Sequence, residues 1–375
     1  NRMWVRHAGY GGTAAYELTN SNATLTACKA IDSSSGGFDL NSTGARPTAA
    51  GCKTENCSGY AFYGVQIEAL AGFSNSRATG NQFNQMRLSE AFVDSTATVN
   101  FENGIDGVVV CPIVLSVPAA GTLTLNAGVV FKFPVGNYAQ IDGTLLTNGT
   151  ATDAVAFTTY ADDSFGGDSN GDGASGVTGG QWWGLFFNDG ADASSLTYAT
   201  VAGAGYGGTA SLELTNADIS AQYCTLRDGS QSGVDLNGTA AKPRIQRCQI
   251  INNGGNAITG ASIDAVPYVA RNLASGNGGD YMLVTQTSVG ADAFIGSGAG
   301  VNGVVVLNSI LSVPVGRTLT IGPGVTFKFR NVGTYVDVYG TLDTQGSFTS
   351  PLVFTTFGDD AFGGDTNGGG ESSVA

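Results

Sequence analysis

Thr122-Leu123-Thr124-Leu125-Asn126-Ala127-Gly128-Val129-Val130-Phe131-Lys132-Phe133 is the stretch on which the fold turns. Leu123 and Leu125, then Val129, Phe131 and Phe133, recur at every second position, with Thr122, Thr124 and Lys132 between them. A period of two belongs to a strand with one face turned to a core. The same pattern returns 196 residues later as Leu319, Ile321, Val325, Phe327 and Phe329.

That offset holds across most of the chain. Gly9 to Gly12 recurs at Gly205 to Gly208, Cys28 at Cys224, Asp39-Leu40-Asn41 at Asp235-Leu236-Asn237, Cys52 at Cys248, and Phe131-Lys132-Phe133 at Phe327-Lys328-Phe329. After one inserted residue it becomes 197, where Phe165-Gly166-Gly167-Asp168 matches Phe362-Gly363-Gly364-Asp365. The domains expected are therefore 1–196, a first module with a circular offset, and 197–375, a second module continuous with it in one rod. Asn1 falls on Thr197 and Ala375 on Thr178, so the chain opens and closes inside a module. Such a chain is expected either to be cut from a longer array or to complete its fold against another copy.

A finer period lies within the module. Cys224 to Cys248 is 24 residues and Gly254 to Gly276 is 22, each segment a short strand ending in a polar turn. A rung of that length without helical pattern predicts an all-β, parallel β-solenoid, in which each coil pairs with the next. The 375 residues would make roughly 16 coils, a rod roughly 75 Å long at ~4.8 Å per coil. Asn252 and Asn253 would be either turn residues in left-handed backbone or members of a stacked amide ladder.

Composition agrees and excludes other classes. With 57 Gly, 42% apolar and only 12% charged residues, the chain lacks the charge-rich, apolar-poor signature of disorder. Its net charge of −14 argues against a nucleic-acid partner, whose phosphates need basic side chains. The longest apolar runs, such as Val108 to Leu115, contain Pro and fall well short of the ~18 residues of a membrane span. No signal peptide is present, so localisation has to be read from other features.

The segments Gly121-Thr122-Leu123-Thr124-Leu125, Gly128 to Phe133, Asp142-Gly143-Thr144-Leu145, Val155 to Thr159 and the Asp-rich loop from Asp162 to Gly173 together resemble the right-handed parallel β-helix, or pectate-lyase-like, superfamily, especially its repetitive secreted bacterial surface proteins. The resemblance implies a right-handed coil. It says little of activity, since lyases, hydrolases, adhesins and inert stalks share this fold.

The sharpest local motif is Asp168-Ser169-Asn170-Gly171-Asp172-Gly173, with oxygen ligands at positions 1, 3 and 5 and Gly at 6, as in a calcium loop. Position 12 is Gly179, so this is no EF-hand; Asp162 and Asp163 are the candidates to complete a Ca2+ shell. The second copy keeps Asp365 and Asn367, loses the ligand at position 5 and gains Glu371, which predicts a weaker or vacant site. A solvated acidic turn is the competing reading.

Cys28 with Cys52, and Cys224 with Cys248, are one coil apart and would stack as disulfides or as buried thiols. Cys57 and Cys111 have no counterparts and could pair with each other. His7 is the only histidine and its counterpart is Gly203, so it reads as a surface residue rather than a base. Trp4, Trp182 and Trp183, with Tyr10 and Tyr206, are candidates for glycan stacking or interface packing, one of the Trp182–Trp183 pair facing inward. Asn-x-Ser/Thr triplets at Asn22, Asn41, Asn56, Asn148 and Asn237 lend weak support to an extracellular surface.

The expectation is an extracellular or cell-surface structural solenoid, without catalysis, partnered head-to-tail by copies of itself in a fibre, filament or stalk. Features that come in two copies favour it. The other reading is a glycan-binding adhesin or a calcium-dependent polysaccharide lyase acting on cell-surface or matrix glycans, which would concentrate charge in one groove.

Overall fold

The computed structural model describes residues 2–41, 46–237 and 241–368. The chain is an all-β, parallel stacked-coil β-solenoid of about 14 turns. That is slightly below the expected coil number because residues 160–184 contain no strand and lengthen one turn instead of adding another. Two compact units are present, one of Asn1–Trp182 with Thr197–Gly203, the other of Trp183–Leu196 with Ala204–Ala375.

In the first unit Trp4 pairs with Lys29, Lys29 with Lys53 and Lys53 with Arg77, each partner one coil further on. Thr122–Asn126 lies between Thr96–Val99 and Thr144–Asn148, all parallel and in register. The second unit repeats the plan, Leu212 pairing with Val234 and Val234 with Ile258, and Val304 with Thr326 and Thr326 with Val353. Short strands of this kind bury little each, so the stability is in the stack.

Leu123, Leu125, Val129, Phe131 and Phe133 are all buried, as are Leu319, Ile321, Val325 and Phe327, while Phe329 is partly so. Like residues stack on like. Phe38 sits between Tyr16 and Phe62 at centroid distances of 4.4 and 4.7 Å, the rings nearly parallel. Phe327 stacks on Phe354 at 5.4 Å. Each such pair is worth about 0.5–1.5 kcal/mol beyond the area it buries.

The corners are set by left-handed backbone. Ala27, Gly51 and Asn75 hold φ of 51, 60 and 52°, and Asp32, Asn56 and Gly80 hold 52, 54 and 66°. Between them run the three-residue strands Lys29–Ile31 and Lys53–Glu55. Asn and Asp tolerate this region because their short side chains bond locally. Both readings of the Asn252-Asn253 pair hold: Asn252 has φ 55°, and Asn253 is buried in a ladder. Its amide donates to the Leu226 carbonyl at 3.1 Å and to Asn277 Oδ1 at 2.9 Å, while its own Oδ1 accepts from the Gly229 N–H at 2.9 Å. A second ladder runs Asn100, Asn126, Asn148 through side-chain bonds of 2.6 and 2.9 Å.

Candidate functional site: two lysine-latched loops

Strands Val108–Val110, Val130–Phe133 and Val155–Thr159 are buried on both faces, not one. The inner row meets the core. The outer row, Val108, Val110, Val130 and Ala156, forms a separate apolar cluster covered by Tyr160 and Phe165, which belong to the acidic loop. The second unit has the same arrangement, with Tyr281, Leu283, Val304 and Val306 under Phe357. Each acidic loop therefore roofs an apolar strip that would otherwise face water.

The loop is held down by a buried cation. Lys132, which strict alternation sets among the outward residues, has no exposed surface. Its Nζ donates to the Gly167 carbonyl at 2.7 Å. Lys328 is equally buried and donates to the Gly364 carbonyl at 2.7 Å and to Thr366 Oγ1 at 3.0 Å. The carbonyls are aimed by paired left-handed glycines, Gly166 and Gly167 at φ 65 and 69°, Gly363 and Gly364 at 75 and 72°. A Cβ on Gly166 would lie 1.9 Å from Val108 Cγ2, so only glycine fits there. Burial pushes the Lys132 amine below the ordinary lysine value, against the opposing pull of Asp163, Asp162, Asp168 and Asp172. Lys328 is lowered in the same way, opposed by Asp360, Asp359 and Asp365.

These lysines were not singled out from the sequence. The signal was present, since Phe-Lys-Phe and Phe-Gly-Gly-Asp both recur in a chain with only 16 basic side chains. What alternation lacks is any knowledge of a roof contributed from 35 residues downstream.

Among the described residues one carboxylate group has metal-binding geometry: Asp163, Asp168 and Asp172, with an oxygen of each lying within 4.8 Å of the others. Asp163 Oδ2 accepts from the Ser175 N–H at 2.7 Å, whereas its Oδ1 is buried without a hydrogen-bond partner. Asp168 folds the loop on itself, accepting from the N–H groups of Gly171 at 2.6 Å and Gly173 at 3.1 Å. Asn170 is bonded to Asp172 by both its amide nitrogen and its oxygen, at 2.7 and 3.2 Å. Asp162 does not join the group. It is buried and accepts from Thr158 Oγ1 at 2.5 Å and from the Ser164 N–H at 3.0 Å. Asp359 is its counterpart, accepting from Thr355 and from the Ala361 N–H. In the second loop Asp365 accepts from the Gly368 N–H at 2.7 Å, Asn367 lies near Gly358, and Glu371 is outside the described residues.

All six cysteines are buried thiols. Cys52 is hydrogen-bonded to Cys28, and Cys248 to Cys224, so each one-coil pair is in contact. Burial pushes the Cys52 thiol up to about 11. Cys57 and Cys111 are not brought together: the Cys57 sulfur faces the Ala30 and Glu55 carbonyls, and Cys111 faces the carbonyl of Ile113. Burial pushes the Cys111 thiol up to about 12, against the opposing bond to Ile113.

Trp182 is buried and stacks on Phe133 at 4.6 Å, its indole N–H donating to the Ala202 carbonyl at 2.8 Å. Trp183 is half-buried beside Tyr206. Trp4 is exposed, with the Lys29 ammonium 4.9 Å from its ring, and His7 is exposed. Sequence reading also passed over two stacked carboxylate pairs, Glu17 with Asp39 and Glu213 with Asp235, which the strand register sets on neighbouring coils. Glu213 and Asp235 are both raised, chiefly by burial.

Compared with known families, curated proteins and solved structures, the chain matches no family model, no curated protein and no solved structure. The fold itself places the chain in the class of parallel β-solenoids. No helix among the described residues is long and apolar enough to cross a membrane.

Proposed function

We propose that this protein is a structural β-solenoid of an extracellular or cell-surface assembly, a stalk or fibre segment akin to repetitive β-helix proteins of bacterial surfaces, and not an enzyme. The observation that carries this reading is the duplicated lysine-latched loop. The most chemically elaborate feature of the chain comes twice, and in both places its buried groups are spent on holding a roof over an apolar strip. A catalytic centre would place its ionisable groups around a space for substrate. Head-to-tail association of copies is part of the proposal, and electron microscopy of the purified chain tests it: filaments support it, whereas isolated particles at high concentration leave only the stalk segment.

Calcium belongs to the same proposal. Asp163, Asp168 and Asp172 would hold Ca2+, with Asp365 and Asn367 forming a weaker site or none. The support is the convergence of three carboxylates and the buried, unpartnered Asp163 Oδ1. Titration calorimetry should give one dominant site, with Kd on the order of 10⁻⁴–10⁻³ M as in extracellular calcium modules, and Asp168→Asn should abolish it. No heat of binding in the unsubstituted chain would remove the ion from the account.

The second reading, a glycan-binding adhesin or polysaccharide lyase, is favoured by the exposed ring of Trp4, flanked by Lys29. Release of unsaturated oligosaccharides from acidic polysaccharide would overturn the structural proposal.

A further inference from the structure

The 3-10 helix Ile263–Tyr268 lies against strand Ala293–Ile295 and leaves a notch beside it. The first unit has the same helix, Ile67–Gly72, against strand Thr96–Val99. There the notch is closed by an ion pair between Arg46 and Glu68, and Glu68 Oε1 also accepts from the Ser95 N–H at 3.1 Å. In the second unit Lys242 and Asp264 stand at the same two positions with shorter side chains, and no ion pair joins them among the described residues. Asp264 instead accepts from the Gly290 N–H with both oxygens, each at 3.1 Å. The cavity between them is about 260 Å³, against about 80 Å³ in the first unit.

The opening goes with a coordinated set of exchanges. Tyr268 stands where the first unit has Gly72, and Phe294 where it has Thr98. Both rings line the cavity and reach solvent, 43% and 55% exposed. The Phe294 ring lies over Gly296 and Gly322, where a Cβ would come within 3.1 and 3.2 Å of it. Their counterparts are Asn100 and Asn126, whose side chains form the ladder of the first unit and would crowd a ring placed there. Asp292, at the same rim, accepts from the Thr318 N–H at 2.8 Å through Oδ1 alone. Its Oδ2, the Lys242 ammonium and the Tyr268 hydroxyl have no hydrogen-bond partner among the described residues.

We propose that this notch binds a neutral pyranose, one sugar unit of a surface or matrix glycan. The apolar C–H face of the sugar packs on Phe294 and Tyr268. Its hydroxyls donate to Asp292 Oδ2 and accept from the Lys242 ammonium. A few directed polar groups between aromatic walls are the make-up of a small-molecule site. One ammonium against two carboxylates, in a chain of net charge −14, disfavours an acidic sugar and selects a neutral one. The site rests on the glycan-binding reading given above, to which it adds a place distinct from Trp4 and a class of sugar.

The test is saturation-transfer NMR of the full chain with the methyl glycosides of glucose, galactose and mannose, and with glucuronic acid as the acidic probe. Saturable transfer to at least one neutral glycoside is expected, strongest at the C–H protons of one ring face. Phe294→Thr, which installs the residue of the first unit and keeps a good strand former, should weaken binding about tenfold. Lys242→Ala should weaken it to a similar degree, about tenfold. Both variants should keep the unfolding temperature, and Trp4→Ala should leave binding unchanged. No saturable transfer to any of the neutral glycosides, or transfer indifferent to Phe294→Thr, overturns the site. Transfer lost with Trp4→Ala but kept in Phe294→Thr overturns the site while the glycan-binding reading stands. Tighter binding of glucuronic acid than of every neutral glycoside overturns the assignment to a neutral sugar.

Discussion

Lys132 donates to the Gly167 carbonyl in surroundings that disfavour its charge. A hydrogen bond to a charged group is worth about 1.5–3 kcal/mol, so losing it should raise the open population of the loop roughly 10- to 100-fold. Lys132→Met fills the same space without the bond. The expected outcome is faster limited proteolysis between residues 160 and 180, with the core transition little changed. Burial disfavours the charged form of Glu213 as well, which for an acid moves the pKa the other way. Burial raises its folded value, with Asp235 adding to the rise and the Ala210 N–H opposing it. A carboxyl raised on folding holds its proton to higher pH than in the unfolded chain, so the stability it contributes is present in acid and lost as pH climbs through the folded value. Glu213→Gln should flatten the dependence of the unfolding midpoint in and above the ordinary glutamate range.

Elements in this fold were legible where one rule sufficed. Alternation placed Leu123, Leu125, Phe131 and Phe133 inside because a period of two has only two faces and one is the core. The same rule misplaced Lys132, since the outer face of Val130–Phe133 is itself covered by Tyr160 and Phe165 from a loop the rule cannot see. Within that loop, composition named the right carboxylates but not their directions. Asp162 turns inward to Thr158 while Asp163 turns to Ser175, a choice made by hydrogen bonds rather than by residue type. Asn253 shows how such bonds weigh in an element: its side chain satisfies Gly229 N–H and the Leu226 carbonyl at once. Asn253→Ala would leave the Gly229 N–H without its acceptor, at about 1–3 kcal/mol. A drop in the denaturant midpoint of the second unit, without change of fold by circular dichroism, is the expected result. Phe38→Ala, which empties the middle of a three-ring stack, should cost the first unit about 3–5 kcal/mol by the same measurement.

Each unit of the whole molecule is held by contacts between one coil and the next, so cooperativity is a nearest-neighbour property. Guanidinium unfolding of the 375-residue chain should show an apparent slope below that expected for a single two-state domain of its length. A single steep transition, with fluorescence and circular dichroism coincident, would contradict this. Duplication also gives the molecule an internal control. Lys132 and Lys328 perform the same task in different surroundings, the second with Thr366 Oγ1 as an added acceptor. Both amines are sealed under their roofs, whereas Lys29, Lys53 and Lys242 reach solvent. An acylating reagent applied to the folded protein will therefore mark those three and pass over the other two. The mass of the acylated chain becomes a count of closed roofs, readable one loop at a time after digestion.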